Sequence, residues 1–182
     1  YPRLAHIAAG AGQVQPGQVA LTGRIDAGKG FGEFLAAAAH RLPPAAHVTI
    51  VGDGPERAAL EAQYGSGQVC FIGWRGYDEA MALAARSHVC VVPSVCEEAC
   101  STTVLEALAL GRPCLALARG GTPELAAYQR FPGQLQLASN MPELANLLLA
   151  RLAGAPTETP APPSFGADAL HAIPRLLDLY DE

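Results

Sequence analysis

The sequence predicts an α/β fold, a doubly wound parallel sheet with helices on both faces, on three observations. Short apolar runs that read as buried strands alternate with segments whose apolar residues recur at helical spacing. Glycine and proline stand at the corners between them, as at 52–55 and 111–113. Finally, Val91 to Leu125 (VVPSVCEEACSTTVLEALALGRPCLALARGGTPEL) reads strand, loop, helix, strand, loop, helix. Ligands of such sheets sit where strands end and helices begin, so this stretch is where chemistry is expected.

Size and composition agree. The chain has 182 residues, 50% hydrophobic and only 16% charged, which suits one domain with a buried core. A net charge of −5 argues against a nucleic-acid footprint, which needs a basic patch. No apolar run approaches the length of a membrane span, and the opening YPRLAHIAAG is not a signal peptide. The missing initiator Met predicts a piece of a longer protein. Of five cysteines, Cys70, Cys90 and Cys114 fall in apolar strand-like runs and read as small hydrophobes. Cys96 and Cys100 lack the C-x-x-C spacing of a zinc or redox site. The setting expected is reducing and cytoplasmic, or the inner face of a membrane reached through the parent protein.

Taken in order, residues 1–17 are rich in Gly and Ala and read as a linker. Residues 18–153 make the sheet domain. Val19 to Thr22 is its first strand, and Phe31, Phe34, Leu35, Ala38 and Leu42 mark a helix stopped by Pro43-Pro44. His47 to Val51 is the second strand. Gly52-Asp53-Gly54-Pro55 then turns sharply into a helix that reaches about Gln63, with Pro at its first position. Val69 to Ile72 is a third strand, Tyr77, Ala80, Met81 and Ala84 mark a helix, and His88 to Val92 is the fourth strand. A helix from about Ser101 to Leu110 ends at Gly111-Arg112-Pro113, and Cys114 to Ala118 is the next strand. Gly120-Gly121 turns into another helix, Gln134 to Leu137 is a short strand, and Met141 to Leu152 an amphipathic helix. Residues 154–164 are a Pro-rich spacer and 165–182 a C-terminal helix interrupted at Pro174.

Four segments in one order carry a resemblance. They are Gly23-Arg24-Ile25-Asp26-Ala27-Gly28-Lys29-Gly30, Val51-Gly52-Asp53-Gly54-Pro55, Phe71-Ile72-Gly73-Trp74, and Pro93-Ser94 through Glu98 and Glu106 to Gly120-Gly121-Thr122-Pro123-Glu124. They are similar to the G-R-x4-K-G, V-G-x-G-P, F-x-G-W, P-S-x-x-E-x7-E and G-G-x-P-E motifs of retaining glycosyltransferases of the GT-B fold, the "group 1" type. The chain resembles their C-terminal, donor-binding, Rossmann-like half. The resemblance implies a nucleotide-sugar donor (UDP-, GDP- or ADP-linked), an acceptor-binding N-terminal domain in the same parent chain, and a role of the polysaccharide-building kind. The family has glycines where Ala99 and Ser101 stand here, which makes the approach to the sugar tighter.

Glycosyl transfer expels a nucleoside diphosphate, whose growing charge must be stabilised. No D-x-D occurs, so no metal or other cofactor is expected, and Arg24 with Lys29 are the cationic candidates. Their plain alternative is a solvated loop pair. The helix beginning near Ser101 offers amide groups and a dipole contributing about 0.3–1 kcal/mol, against roughly 1.5–3 kcal/mol for a charged hydrogen bond from Arg24. Arg24 is therefore expected to decide. Glu106 suits the ribose hydroxyls; alternatively, Thr103-x-x-Glu106 is a capping box. Glu98 is implied by resemblance to lie beside the transferred sugar, while Glu97 reads as a solvated neighbour. Gly23, Gly73, Trp74, Ala99, Cys100, Ser101, Thr102 and Thr103 complete the expected donor site, with Trp74 read more readily as core than as a base platform. The backbone of Gly120 to Thr122 is a further candidate for the sugar or phosphate, or simply a turn.

Three rivals remain. Gly23-x4-Gly28-Lys29 matches a P-loop until Gly30 replaces the Ser/Thr that would hold magnesium. A GT-B-fold epimerase shares the architecture. A degenerate domain would bind a sugar-nucleotide or a partner without turnover.

Overall fold

The computed structural model describes residues 2–156. Its elements run α1 (Pro2–Gly10), β1 (Gln15–Thr22), α2 (Phe31–Ala38), β2 (His47–Val51), α3 (Arg57–Tyr64), β3 (Val69–Gly73), α4 (Tyr77–Ala85), β4 (Ser87–Val92), α5 (Thr102–Ala109), β5 (Cys114–Leu117), β6 (Leu135–Ala138) and α6 (Met141–Leu152). Short 3-10 turns cover Ala27–Lys29, Ala39–Arg41 and Thr122–Tyr128. All five strand pairings are parallel, in the order β3-β2-β1-β4-β5-β6. Strand order reverses between β1 and β4, which makes that seam the topological switch point of a Rossmann-type sheet.

Alternation along the strands builds two cores. Val19, Leu21, Val89, Val91, Leu115 and Leu117 point to one face, where Phe34 and Leu35 of α2, Leu60 of α3 and Leu144 and Leu148 of α6 cover them. Ala20, Cys90, Val92, Cys114 and Ala116 point to the other, beneath Leu4 of α1, Met81 and Ala84 of α4, and Val104 and Leu108 of α5. Each large side chain so buried stabilises the domain by about 1.5–3 kcal/mol.

The structure corrects several expectations. Residues 2–10 are helix and Gln15 to Gly17 already belong to β1, so 1–17 is not a bare linker. Leu4, 1% exposed, and the partly buried Ile7 and Ala8 give this helix a face to bury against α4, which its Ala/Gly composition obscured. Pro55 stands two residues before α3 instead of at its first position. Gly120-Gly121 leads into a 3-10 turn, not an α-helix. Cys70 is exposed because β3 is an edge strand whose alternation turns Val69 and Phe71 inward. The predicted helix at 165–182, and the predicted spacer beyond residue 156, lie outside the described residues. No helix among the described residues is long and apolar enough to cross a membrane.

Candidate functional site

At the switch point, the loop that leaves β1 and the loop that leaves β4 are packed against each other. The Val95 amide and the Ser94 hydroxyl both donate to the Gly28 carbonyl (3.0 and 3.2 Å). Gly30 takes a left-handed conformation (φ 67°), and any Cβ there would strike the Pro93 carbonyl. Across this seam the Lys29 ammonium pairs with the Glu98 carboxylate. Both side chains are about a third exposed or less (34% and 27%), so the pair lies in the crevice wall and not in open solvent.

Asp26 organises the first loop. Its carboxylate accepts from the Lys29 amide (3.2 Å) and pairs with Arg24 Nε (3.0 Å). The Arg24 side chain is 72% exposed and turns onto its own loop instead of into the crevice wall. Lys29 and Arg24 thus share a loop, but only Lys29 meets an acid of the second loop. Asp26 was not singled out from sequence; its position three residues before Lys29, at the start of a helical turn, is the signal that would have found it.

The second loop separates its two acids. Glu97, expected to be a solvated neighbour, instead accepts from the Gly120 amide. The Gly121 amide donates to the Glu98 carbonyl (2.9 Å) and the Thr122 amide to the Arg119 carbonyl (3.0 Å). The Gly120 and Gly121 amides are therefore engaged in holding the Glu97–Ala99 loop, while the Thr122 amide closes its own turn. Side chains at Gly120 or Gly121 would strike the carbonyls of Glu98 and Ala99, which is why glycines stand there. Ala99, Cys100 and Thr102 are exposed, Thr103 is half-buried and Ser101 is buried at the start of α5. Ser101 makes no side-chain cap, and the first helical bond runs from the Leu105 amide to the Ser101 carbonyl (3.2 Å).

Because α5 begins at Thr102, Thr103 and Glu106 cannot form the capping box that their spacing suggested. Glu106 faces a small cavity of about 10 Å³, bounded by Thr22 and Val92 at the ends of β1 and β4 and by Met81 of α4. Burial raises the Glu106 carboxyl above its ordinary value, and a hydrogen bond from Tyr77 opposes that rise.

The third segment lies at the edge of the sheet. Gly73 is buried with φ 75°, and the Arg57 guanidinium packs 3.0 Å from where its Cβ would be. Trp74 is 72% exposed, so the core reading of this residue is overturned. Gly23 (φ 138°) bonds into the Val51 carbonyl (3.0 Å), and Gly52 fits only because it has no side chain to strike the Gly23 carbonyl.

A doubly wound parallel sheet with a glycine-rich loop, an ion pair and a half-buried acid at its switch point is a Rossmann-type α/β domain whose crevice is the usual place for a ligand. Residues 16–152 match the family model "Glycosyl transferases group 1", and the chain belongs to that family. It is 32% identical over 114 residues to the sulfoquinovosyl transferase SQD2 of Arabidopsis thaliana, covering 63% of this chain and 22% of that protein. It is 33% identical over 131 residues to the 2-deoxystreptamine glucosyltransferase of Streptomyces kanamyceticus, covering 64% of this chain and 33% of that one. The chain therefore spans about a fifth to a third of the curated relatives it matches. In fold it is similar to Anabaena Alr3699/HepE, solved in complex with UDP and glucose, with a TM-score of 0.61 at 24% identity over 82% of this chain and 42% of that one.

Proposed function

We propose that this domain holds the nucleotide-sugar donor of a retaining glycosyltransferase, with the acceptor bound by a separate N-terminal domain of the parent chain. The observation that carries the reading is the Lys29–Glu98 pair at the β1/β4 switch point, in a chain of this family. A diphosphate entering the crevice would take Lys29 from Glu98 and draw Arg24 off Asp26, which places two cations on the leaving group without a metal. The first turn of α5 would add its amides and dipole. Glu98, released, would stand beside the sugar, and Glu106 would accept from the ribose hydroxyls. Neighbours of known structure that hold UDP favour a donor of this chemical class. Trp74, exposed at the end of β3, would offer its ring to the base. We place the parent protein in the cytoplasm, where the exposed thiols of Cys96 and Cys100 would stay reduced.

The test is thermal shift and calorimetry with UDP, GDP and ADP, each with and without magnesium. One of the three should stabilise the chain, with no need for magnesium. A strict magnesium requirement overturns the roles of Arg24 and Lys29, and no shift with any of the three overturns the reading. A second reading has one observation in its favour: Ala99 and Ser101 stand where the family's glycines would let backbone meet sugar. A domain that binds without turnover would show nucleoside diphosphate affinity but no transfer in the full-length parent.

A further inference from the structure

We propose that Asp26 is a positioning residue for both cations of the crevice: one carboxylate oxygen starts the turn that presents Lys29, and the other holds Arg24 back along its own loop. The inference rests on the donor-site reading for its consequence, since Arg24 and Lys29 are the side chains assigned there to the diphosphate.

The backbone that leads from β1 to Lys29 is anchored on both sides of Arg24. The Gly23 amide donates to the Val51 carbonyl (3.0 Å) and the Ile25 amide to the Asp53 carbonyl (2.9 Å), so at Arg24 only the side chain is free to swing. Asp26 follows in an extended conformation (φ −140°, ψ 170°), as a helix-capping residue does. Its Oδ1 accepts from the Lys29 amide at 3.2 Å, and its own carbonyl accepts from the same amide at 3.0 Å. The short turn Ala27–Lys29 begins there, and it sets where the Lys29 side chain leaves the loop to meet Glu98.

The second oxygen has a different task. Oδ2 pairs with Arg24 Nε at 3.0 Å. The Arg24 side chain is 72% exposed and that of Asp26 30%, so water screens the pair and a more highly charged phosphate can displace the carboxylate. The two tasks are separable because charge matters to only one of them. Asparagine keeps an acceptor oxygen for the Lys29 amide and gives up the charge that holds Arg24, whereas alanine loses both.

Asp26→Asn, Asp26→Ala, Arg24→Ala and the double variant Arg24→Ala/Asp26→Asn test this. NMR of the ligand-free chain judges the geometry. The Arg24 Nε–H should gain mobility in Asp26→Asn. The Lys29 amide should exchange there at the wild-type rate, but about fivefold faster in Asp26→Ala. An Arg24 Nε–H as ordered in Asp26→Asn as in wild type overturns the hold on Arg24, and a Lys29 amide that exchanges alike in both variants overturns the capping task. Calorimetry with UDP, GDP and ADP gives the second arm. Whichever of the three binds should bind about 2- to 5-fold tighter to Asp26→Asn, by release of a partly exposed pair. In the Arg24→Ala background that gain should fall by half or more. No gain, or an equal gain in both backgrounds, overturns the control of binding through Arg24. Asp26→Ala should bind more weakly than Asp26→Asn, and equal affinity overturns the control through Lys29. A wild-type chain that binds none of the three sinks the donor-site reading, and the NMR arm still judges Asp26 separately.

Discussion

Lys29 and Glu98 form an ion pair across the seam between the loops that leave β1 and β4. The two residues are 69 positions apart, and the pair ties together the loops that leave the two strands of the switch point. On the proposed donor reading, Glu98 holds the cation that a diphosphate would take. The two partners should therefore respond in opposite directions. Lys29→Ala should weaken nucleoside diphosphate binding about 10- to 100-fold, the loss of a charged hydrogen bond. Glu98→Gln should tighten it about 2- to 5-fold by freeing the lysine from a partly exposed pair. Calorimetry on both variants decides; weaker binding in Glu98→Gln would show that the acid supports the phosphates instead of competing with them.

The glycines of the crevice should be intolerant of any side chain. Gly30→Ala places a Cβ into the Pro93 carbonyl at φ 67°, and Gly120→Ala does the same to the Glu98 carbonyl at φ 49°. Each should cost about 2–4 kcal/mol in urea unfolding, since backbone and not a flexible side chain stands in the way. Gly10→Ala, at the end of α1 with nothing within 4 Å, should be neutral or slightly stabilising. Equal losses at all three positions would refute the packing argument.

Much of this was legible beforehand, and what was not has a physical reason. Strands β2, β4 and α6 were readable because HVTIV, the run to Val92 and the Met141–Leu152 periodicity bury whole faces. The choice of Glu98 over Glu97 came from spacing to Glu106, and the structure turns Glu98 to Lys29 while Glu97 holds the Gly120 amide 23 positions away. Contacts at that range leave no local periodicity to read. The helix α1 hid behind alanines and glycine, which mark either helix or linker. Tyr77, Ala80, Met81 and Ala84 marked α4 by their spacing, and the helix starts at Tyr77. Trp74 misled because size suggests burial, yet it stands just past an edge strand.

Helix α6, which closes one face of the sheet, depends on a cap that pattern reading passed over. Asn140 accepts from the Glu143 amide (2.9 Å), and the Glu143 carboxylate accepts from the Ser139 amide (2.8 Å). Asn140→Ala should cost about 1 kcal/mol, and Asn140→Asp or Asn140→Ser far less. Urea unfolding of the three variants checks the order; an alanine as stable as serine would remove the cap from the account.

At Glu106, stability and the proposed ribose role pull in opposite directions. Its carboxyl titrates above the ordinary value in the folded chain because burial disfavours the charge. The folded state therefore holds this proton more tightly than the unfolded state does. As pH rises from about 4.5 through the raised folded value, ionisation costs more in the folded chain, and stability falls across that window. Glu106→Gln keeps the shape of the side chain and removes the charge. It should be more stable than wild type near pH 7, with the advantage shrinking as pH falls through the folded value and gone below about 4.5. The same variant should lose affinity for a nucleoside diphosphate, because a neutral amide is a weaker acceptor for the ribose hydroxyls. Unfolding curves from pH 4 to 8, with calorimetry at pH 7, give both readings on one protein. A variant that is less stable than wild type at pH 7 would mean that the charge is held by a favourable partner and not merely endured. A variant that binds as tightly as wild type would take Glu106 out of the donor site.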